Sequence, residues 1–181
     1  MSLFNRIKLV DRFQAVTSNQ VAIINSLNSS APKILPGILI TLLFIYSEIS
    51  GNPQLRGLKK ILEAGSDEQM VQFNKLIITF LLYMIDKATD SDILSDTMLL
   101  NYLVSVWSLN NEEVQAFVLE SDRQGGAMAS VSIFIERARK VFPTADDILF
   151  LMPLLNEATK RLLSAALSDS YLESRKRSGV I

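Results

Sequence analysis

The stretch Leu-Ile-Ile-Thr-Phe-Leu-Leu-Tyr-Met-Ile, residues 76–85, decides the fold class of this chain. Its apolar side chains cover every face of a helix, and a helix of this kind has to be surrounded by protein. Just upstream, Ser66 and Gln69 have the spacing of a capping box, in which each side chain bonds the backbone amide of the other residue. We therefore predict a helix over about 67–88 at the centre of an all-α domain.

Apolar residues recur at spacings of three and four along the rest of the chain, which predicts an orthogonal or mixed bundle of about eight helices. The predicted helices cover residues 3–27, 36–50, 53–64, 67–88, the segment from 90–92 to 108, 111–121, 127–141 and 145–173. Pro153 lies inside the last segment and predicts either a kink or a break into 145–152 and 153–173. Residues 1–172 then form a single all-α domain, and the basic tail 173–181 is expected to be flexible.

The same spacing predicts which side chains face the core. The helix over 36–50 is expected to be the most buried neighbour of the central helix. Predicted inward residues of the first helix are Leu9, Phe13, Val16, Ile23, Ile24 and Leu27. In the helix that ends near Ser108 they are Met98, Leu99, Tyr102, Leu103, Val106 and Trp107.

Composition removes many catalytic and metal chemistries. The 181 residues include no cysteine and no histidine, which excludes thiolate sites, histidine ligands and histidine-dependent triads. The seven glycines match neither a dinucleotide-binding fingerprint nor a phosphate-binding loop. Asp90, Asp92 and Asp96 are interpreted as helix-start residues, because the surrounding sequence lacks the ligand spacing and the glycine of a calcium loop. We expect no catalytic residue, no cofactor and no metal site.

Charge is distributed unevenly along the chain although the net charge is only −1. Residues 1–60 carry seven basic and two acidic groups, residues 61–136 carry three and twelve, and residues 137–181 carry eight and five. One interpretation is that the two basic ends form a face for an anionic partner. The other is that the ends fold back on the acidic middle, which is ordinary surface complementarity.

Seven basic residues are the candidate contacts for an anionic partner. Lys8 and Arg12 lie four residues apart on one face of an amphipathic segment, an arrangement suited to an anionic membrane surface, although packing of its apolar face is also consistent. The remaining five are suited to phosphate contacts, or to a solvated face and a solubilising tail. The complete set is Lys8, Arg12, Arg137, Lys140, Arg175, Lys176 and Arg177.

No stretch of the sequence predicts a transmembrane span. The strongly apolar, uncharged run between Lys33 and Glu48 has fourteen residues, whereas a bilayer requires about 20. The run is better interpreted as a buried helix. The first dozen residues interleave charged and apolar side chains, so we expect no secretory signal and a cytoplasmic location.

Apolar residues exceed what one small core needs. The mean hydropathy is +0.25, and near-continuous apolar runs occur at 34–46, 76–85, 98–107 and 148–155. An interface, a partner groove or an apolar cavity would absorb the surplus. We therefore expect a non-catalytic helical protein–protein interaction or assembly module that self-associates through apolar helix surface. One alternative is a peripheral membrane protein, or a lipid-binding or apolar-ligand-binding protein, that uses its basic amphipathic N-terminal helix and an internal apolar cavity. The other is a nucleic-acid-associated regulator that uses the basic ends.

Overall fold

The structure is a computed structural model that describes residues 8–27, 32–89, 93–143 and 146–167. These residues form nine α-helices and three 3₁₀ segments without a strand, which confirms the predicted all-α helical bundle. The α-helices are α1 (Leu9–Val16), α2 (Ser18–Ser26), α3 (Ile34–Gly51), α4 (Arg56–Ala64), α5 (Asp67–Thr89), α6 (Thr97–Trp107), α7 (Asn111–Gln124), α8 (Ala127–Val141) and α9 (Met152–Leu167). The 3₁₀ segments are Pro53–Leu55, Ile93–Ser95 and Asp146–Leu151.

Helix α5 starts as the sequence predicts and is buried along much of its length. The Ser66 amide donates to Gln69 Oε1 at 2.9 Å, and the Gln69 amide donates to Ser66 Oγ at 3.1 Å, so the capping box is confirmed. Every side chain from Ile77 to Tyr83 is buried. The helix contacts α1, α7, α8 and α9, which cover it on several sides.

Helix α3 is also largely buried, but its main neighbours are α9 and α1 rather than α5. Gly37 permits the close approach of α9, because a Cβ at this position would lie 3.0 Å from the Cβ of Ala165. A link to α5 is the hydrogen bond that the buried Tyr46 hydroxyl donates to Asn74 Oδ1. The prediction of burial is confirmed for this helix. Its place as the most buried neighbour of the central helix is not confirmed, because it packs mainly against α9 and α1.

One helix among the described residues is long and apolar enough to cross a membrane. It is α3, with 18 residues from Ile34 to Gly51. The criterion concerns length and composition only, and the core helix of a folded domain also meets it. Nine residues of α3 are buried inside the protein, against α1, α4 and α9 among others.

The predicted first helix is divided at Thr17 into α1 and α2. The Thr17 hydroxyl donates to the Phe13 carbonyl at 2.8 Å, and the Ser18 hydroxyl donates to the Ala15 carbonyl at 3.0 Å. Hydroxyls that bond nearby carbonyls compete with the helical hydrogen bonds and favour such a break. The predicted inward residues Leu9, Phe13 and Ile24 are buried, and Val16, Ile23 and Leu27 are half-buried.

The burial prediction for Met98 is wrong, because this side chain is 67% exposed. Helix α6 begins after Asp96, whose carboxylate accepts from the Leu99 amide at 2.9 Å. The predicted helix start at residues 90–92 lies outside the described residues. The other predicted inward residues of α6 are buried or half-buried.

Pro153 marks a break rather than a kink. A 3₁₀ segment covers Asp146–Leu151, and α9 begins at Met152 with Pro153 in its first turn. A proline is tolerated there, because the first-turn amides have no partner within the helix. The segment 168–181, which includes the predicted tail, lies outside the described residues.

Candidate functional site

The guanidinium of Arg12 makes its hydrogen bonds to other residues of the same chain. Its Nη1 atom donates to the carbonyls of Leu62 at 3.0 Å and Glu63 at 2.8 Å, at the end of α4. Its Nη2 atom lies 2.9 Å from Asp67 Oδ1 at the start of α5. Only 13% of the Arg12 side chain is exposed. The guanidinium therefore joins α1 to the α4–α5 junction and is not presented to an external anion.

The other candidate cations lie in different environments. Lys8 is exposed at the start of α1. Arg137 and Lys140 share one face of α8 and line the same groove. Arg175, Lys176 and Arg177 lie outside the described residues. Of the seven candidates, the structure thus brings Arg137 and Lys140 together in one groove. Lys8 and Arg12 do not form a shared basic surface, because Lys8 is exposed whereas Arg12 is bound within the chain.

A groove with a volume of about 490 Å³ lies between α5, the start of α7 and the end of α8. We call it the basic groove, because Lys75 of α5 joins Arg137 and Lys140 of α8 along its walls. Glu113 is the one carboxylate among its lining residues. The complete lining is Gln72, Lys75, Leu76, Thr79, Leu109, Asn110, Glu113, Val114, Ala116, Arg137, Lys140 and Val141.

The three cations of the basic groove are neutralised to different degrees. Arg137 Nη2 lies 3.0 Å from Glu120 Oε2, and the guanidinium lies above the Phe117 ring. Lys140 Nζ makes a long contact of 3.8 Å with Glu136. Lys75 is half-buried and makes no ion pair with any residue that the structure describes. Lys75 is therefore the cation best placed to accept an external anion.

Sequence reasoning missed Lys75, and no local signal would have found it. Lys75 is the one charged residue between Glu68 and Asp86, and it lies more than 60 positions from Arg137 along the chain. Only the packing of α8 against α5 places the two in one groove.

A second surface feature is an uncharged face formed by α2, α6 and residues 34–47 of α3. These segments contain no Asp, Glu, Lys or Arg, and α2 contacts both α3 and α6. Four large apolar side chains of these three segments are exposed. They are Val21 at 37%, Ile40 at 67%, Met98 at 67% and Val104 at 44%.

The uncharged face contains an apolar groove of about 290 Å³ between α1, α2 and α3. Val21 lines it together with Leu39 and Leu43, which are half-buried. Thr17 and Ser18, which lie where α1 ends and α2 begins, contribute to the same groove. The break between these helices thus helps to shape the apolar surface.

A polar cluster connects α5 to α7 next to the core. Tyr83 donates to Asp122 Oδ1 at 2.6 Å, and Lys87 Nζ lies 2.8 Å from the same oxygen. These two hydrogen bonds, that of Lys87 first, lower the pKa of the Asp122 carboxyl. Burial and the bond to Asp122 raise the pKa of the Tyr83 hydroxyl. The cluster acts as a structural link, because Tyr83 stays neutral and Asp122 stays charged.

The described residues contain no group of three or more acidic side chains arranged to hold a metal ion. Asp96, one of the three aspartates considered above, is the N-cap of α6. Asp90 and Asp92 are outside the described part of the chain. Surface features of the described residues are the candidate sites. In comparisons with known proteins, no family model, no curated protein sequence and no solved structure matches this chain significantly.

Proposed function

We propose that this chain is a non-catalytic helical interaction module that self-associates through the uncharged face. The observation that supports the proposal is that four of the eight large apolar side chains exposed among the described residues lie on segments without a charged residue. Ile40 and Met98 each leave about two thirds of their surface in water, and burying apolar area contributes about 25 cal/mol per Å². An interface on this face would remove that area from solvent.

A second copy of this chain fits the face better than an unrelated charged partner. In a two-fold symmetric dimer each surface meets its own equivalent, so like charges would oppose one another. A face without charged residues avoids this repulsion. The three segments themselves offer no charge by which a basic or acidic partner would be selected, and Arg161 of α9 lies over the Phe44 ring beside them.

The experiment that tests self-association is the molar mass in solution, measured by light scattering after size exclusion at two protein concentrations and at low and high salt. We expect a dimer that persists in high salt, since apolar association is not screened. Met98→Glu and Ile40→Glu introduce charges at the exposed positions of the face. Both variants are expected to shift the protein to the monomer.

Leu119→Glu provides the matched control, because Leu119 is 68% exposed on α7, outside the uncharged face. This variant is expected to remain a dimer. A wild-type monomer under all conditions would refute the proposal. Dissociation by Leu119→Glu, with no effect of Met98→Glu and Ile40→Glu, would place the interface elsewhere.

The two alternatives have less support. A membrane-surface role for the N-terminal helix requires both Lys8 and Arg12, whereas Arg12 joins α1 to the α4–α5 junction. A nucleic-acid role relied on the basic ends, and Arg137 is already paired with Glu120. Cosedimentation with anionic liposomes and salt-sensitive binding to nucleic acid would be the respective results that favour them.

A further inference from the structure

The basic groove has the size and the mixed lining of a small-molecule site. Its volume of about 490 Å³ falls within the range of about 300–1,000 Å³ that is usual for ligand pockets. The apolar part of the lining comes from Leu76, Leu109, Val114 and Val141. From this combination we propose that the groove binds a small amphipathic monoanion, a single carboxylate attached to an apolar body.

Lys75 is the residue that would hold the carboxylate. It is half-buried and makes no ion pair with a described residue, although a cation that is partly removed from water is stabilised by a charge-assisted hydrogen bond. Lys140 lines the same groove from α8, and its contact of 3.8 Å with Glu136 is long for an ion pair. Two ammonium groups from different helices thus remain able to bind one incoming anion.

The other charges of the groove limit the ligand to a single negative charge. Glu113 contributes a carboxylate to the lining, and Glu120 neutralises Arg137. A polyphosphate or a nucleic-acid backbone would bring several negative charges close to Glu113 and would be repelled. The apolar lining adds affinity only if the anion also carries an apolar group.

The binding experiment is a titration of the full chain with decanoate below its micelle concentration, followed by calorimetry and by tryptophan fluorescence. Trp107 is the single tryptophan of the chain, and it lines a small cavity together with Lys75. Decanol and inorganic phosphate serve as comparison ligands, because decanol lacks the charge and phosphate lacks the apolar body. We expect decanoate to bind at least about tenfold more tightly than either.

Substitutions of single lysines test whether decanoate binds in the basic groove. Lys75→Met retains the apolar stem and removes the charge, and it is expected to weaken decanoate binding about tenfold. Lys140→Gln is expected to weaken it by a smaller factor and covers the case in which Lys75→Met does not fold. Lys59→Met is the matched control, because Lys59 is a half-buried lysine of α4 that does not line the groove.

Three results would overturn the proposal. The first is the absence of decanoate binding to the wild-type chain. The second is equal affinity for decanoate and decanol, which would indicate an apolar site without anion selection. The third is unchanged binding in both Lys75→Met and Lys140→Gln, or an equal loss in Lys59→Met, since either would place the ligand outside the groove.

Discussion

Arg12 shows how the role of one residue depends on its surroundings. On the sequence it is a basic residue of an amphipathic helix, whereas in the fold it bonds the carbonyls of Leu62 and Glu63 at the C-terminal end of α4. The last carbonyls of a helix have no partner within the helix, so a guanidinium that reaches them satisfies acceptors which would otherwise need water. A planar group with several donors is suited to this task.

We predict that Arg12→Ala lowers the free energy of unfolding by about 1–3 kcal/mol, because the part-buried carbonyls lose a charged donor. Urea unfolding followed by circular dichroism measures the change. Lys8→Ala removes an exposed cation from the start of α1 and is expected to alter stability by less than about 0.5 kcal/mol. Equal effects of the two substitutions would show that the Arg12 contacts contribute nothing.

The Tyr83–Asp122–Lys87 cluster leads to a prediction about pH. The pKa of Asp122 is lower in the folded protein than in the unfolded chain, where a value of about 4 is usual. The stabilisation from Asp122 is therefore complete above the unfolded pKa and is lost as the pH falls through the folded pKa. Asp122 is 42% exposed, so screening by solvent reduces the effect.

Comparing the wild type with Asp122→Asn tests this prediction. The difference in free energy of unfolding is expected to be constant between about pH 6 and pH 8 and to close below about pH 4. Denaturant unfolding at a series of pH values measures it. A difference that is independent of pH down to about pH 2 would show that the Asp122 carboxylate is not stabilised in the folded protein.

At the scale of elements, the helix ends separate what the sequence encodes locally from what it does not. Asn110 caps α7 from the adjacent position, where its Oδ1 atom accepts from the amides of Glu112 and Glu113. Helix α4 has no side-chain cap at its own N-cap residue, Leu55. Its Leu58 amide instead donates to Asp147 Oδ2 at 3.0 Å, from a residue 89 positions away.

Gly57 makes room for this distant cap. A Cβ at position 57 would lie 3.1 Å from Asp147 Oδ2 and 3.3 Å from its Cγ. Such distances require the aspartate to move by a few tenths of an ångström. The position of the Asp147 carboxylate therefore depends on the absence of a Cβ at Gly57. The spacing of the two residues in the sequence does not reveal this coupling.

We predict that Asp147→Ala costs about 0.5–2 kcal/mol of stability, as the loss of an N-cap does. Gly57→Ala is expected to stabilise the Asp147→Ala background by about 0.5–1 kcal/mol through helix propensity. In the wild type the same substitution is expected to give less than this, or to destabilise. A double-mutant cycle of unfolding free energies measures the coupling, and additive effects would refute it.

At the scale of the whole molecule, one hydrophobic cluster joins the described helices. Each of the nine α-helices contributes at least one buried apolar residue to it. The described ion pairs of Arg12 with Asp67 and of Arg137 with Glu120 join basic ends of the chain to its acidic middle. The uneven charge distribution thus serves, at these positions, to hold the fold together.

Self-association through the uncharged face also predicts how stability depends on concentration. A dimer that dissociates on unfolding has a thermal midpoint that rises with protein concentration. We expect this rise for the wild type and its loss in Met98→Glu, measured by calorimetry over a hundredfold range of concentration. A midpoint that does not change with concentration in the wild type would contradict a dimer coupled to folding.

Much of the fold could be predicted from the sequence because helices are encoded by near neighbours. The burial around 76–85 and the Ser66–Gln69 box depend on residues that are near neighbours in the sequence, and both are confirmed. The predicted burial of Met98 and the predicted continuity of the first helix through Thr17 are wrong. Both depend on how a helix begins or ends against its neighbours, and periodicity does not record that.

By itself, then, the sequence determined an all-α protein with a buried central helix and without histidine or cysteine chemistry. Only the tertiary structure decided that Arg12 binds α4, that Asp147 caps α4 and that Lys75 meets Arg137 and Lys140 in one groove. The physical reason is the distance along the chain over which each kind of interaction acts. Helix periodicity and capping act over three or four residues, whereas these contacts join residues about 50 to 90 positions apart and exist only after the helices have packed.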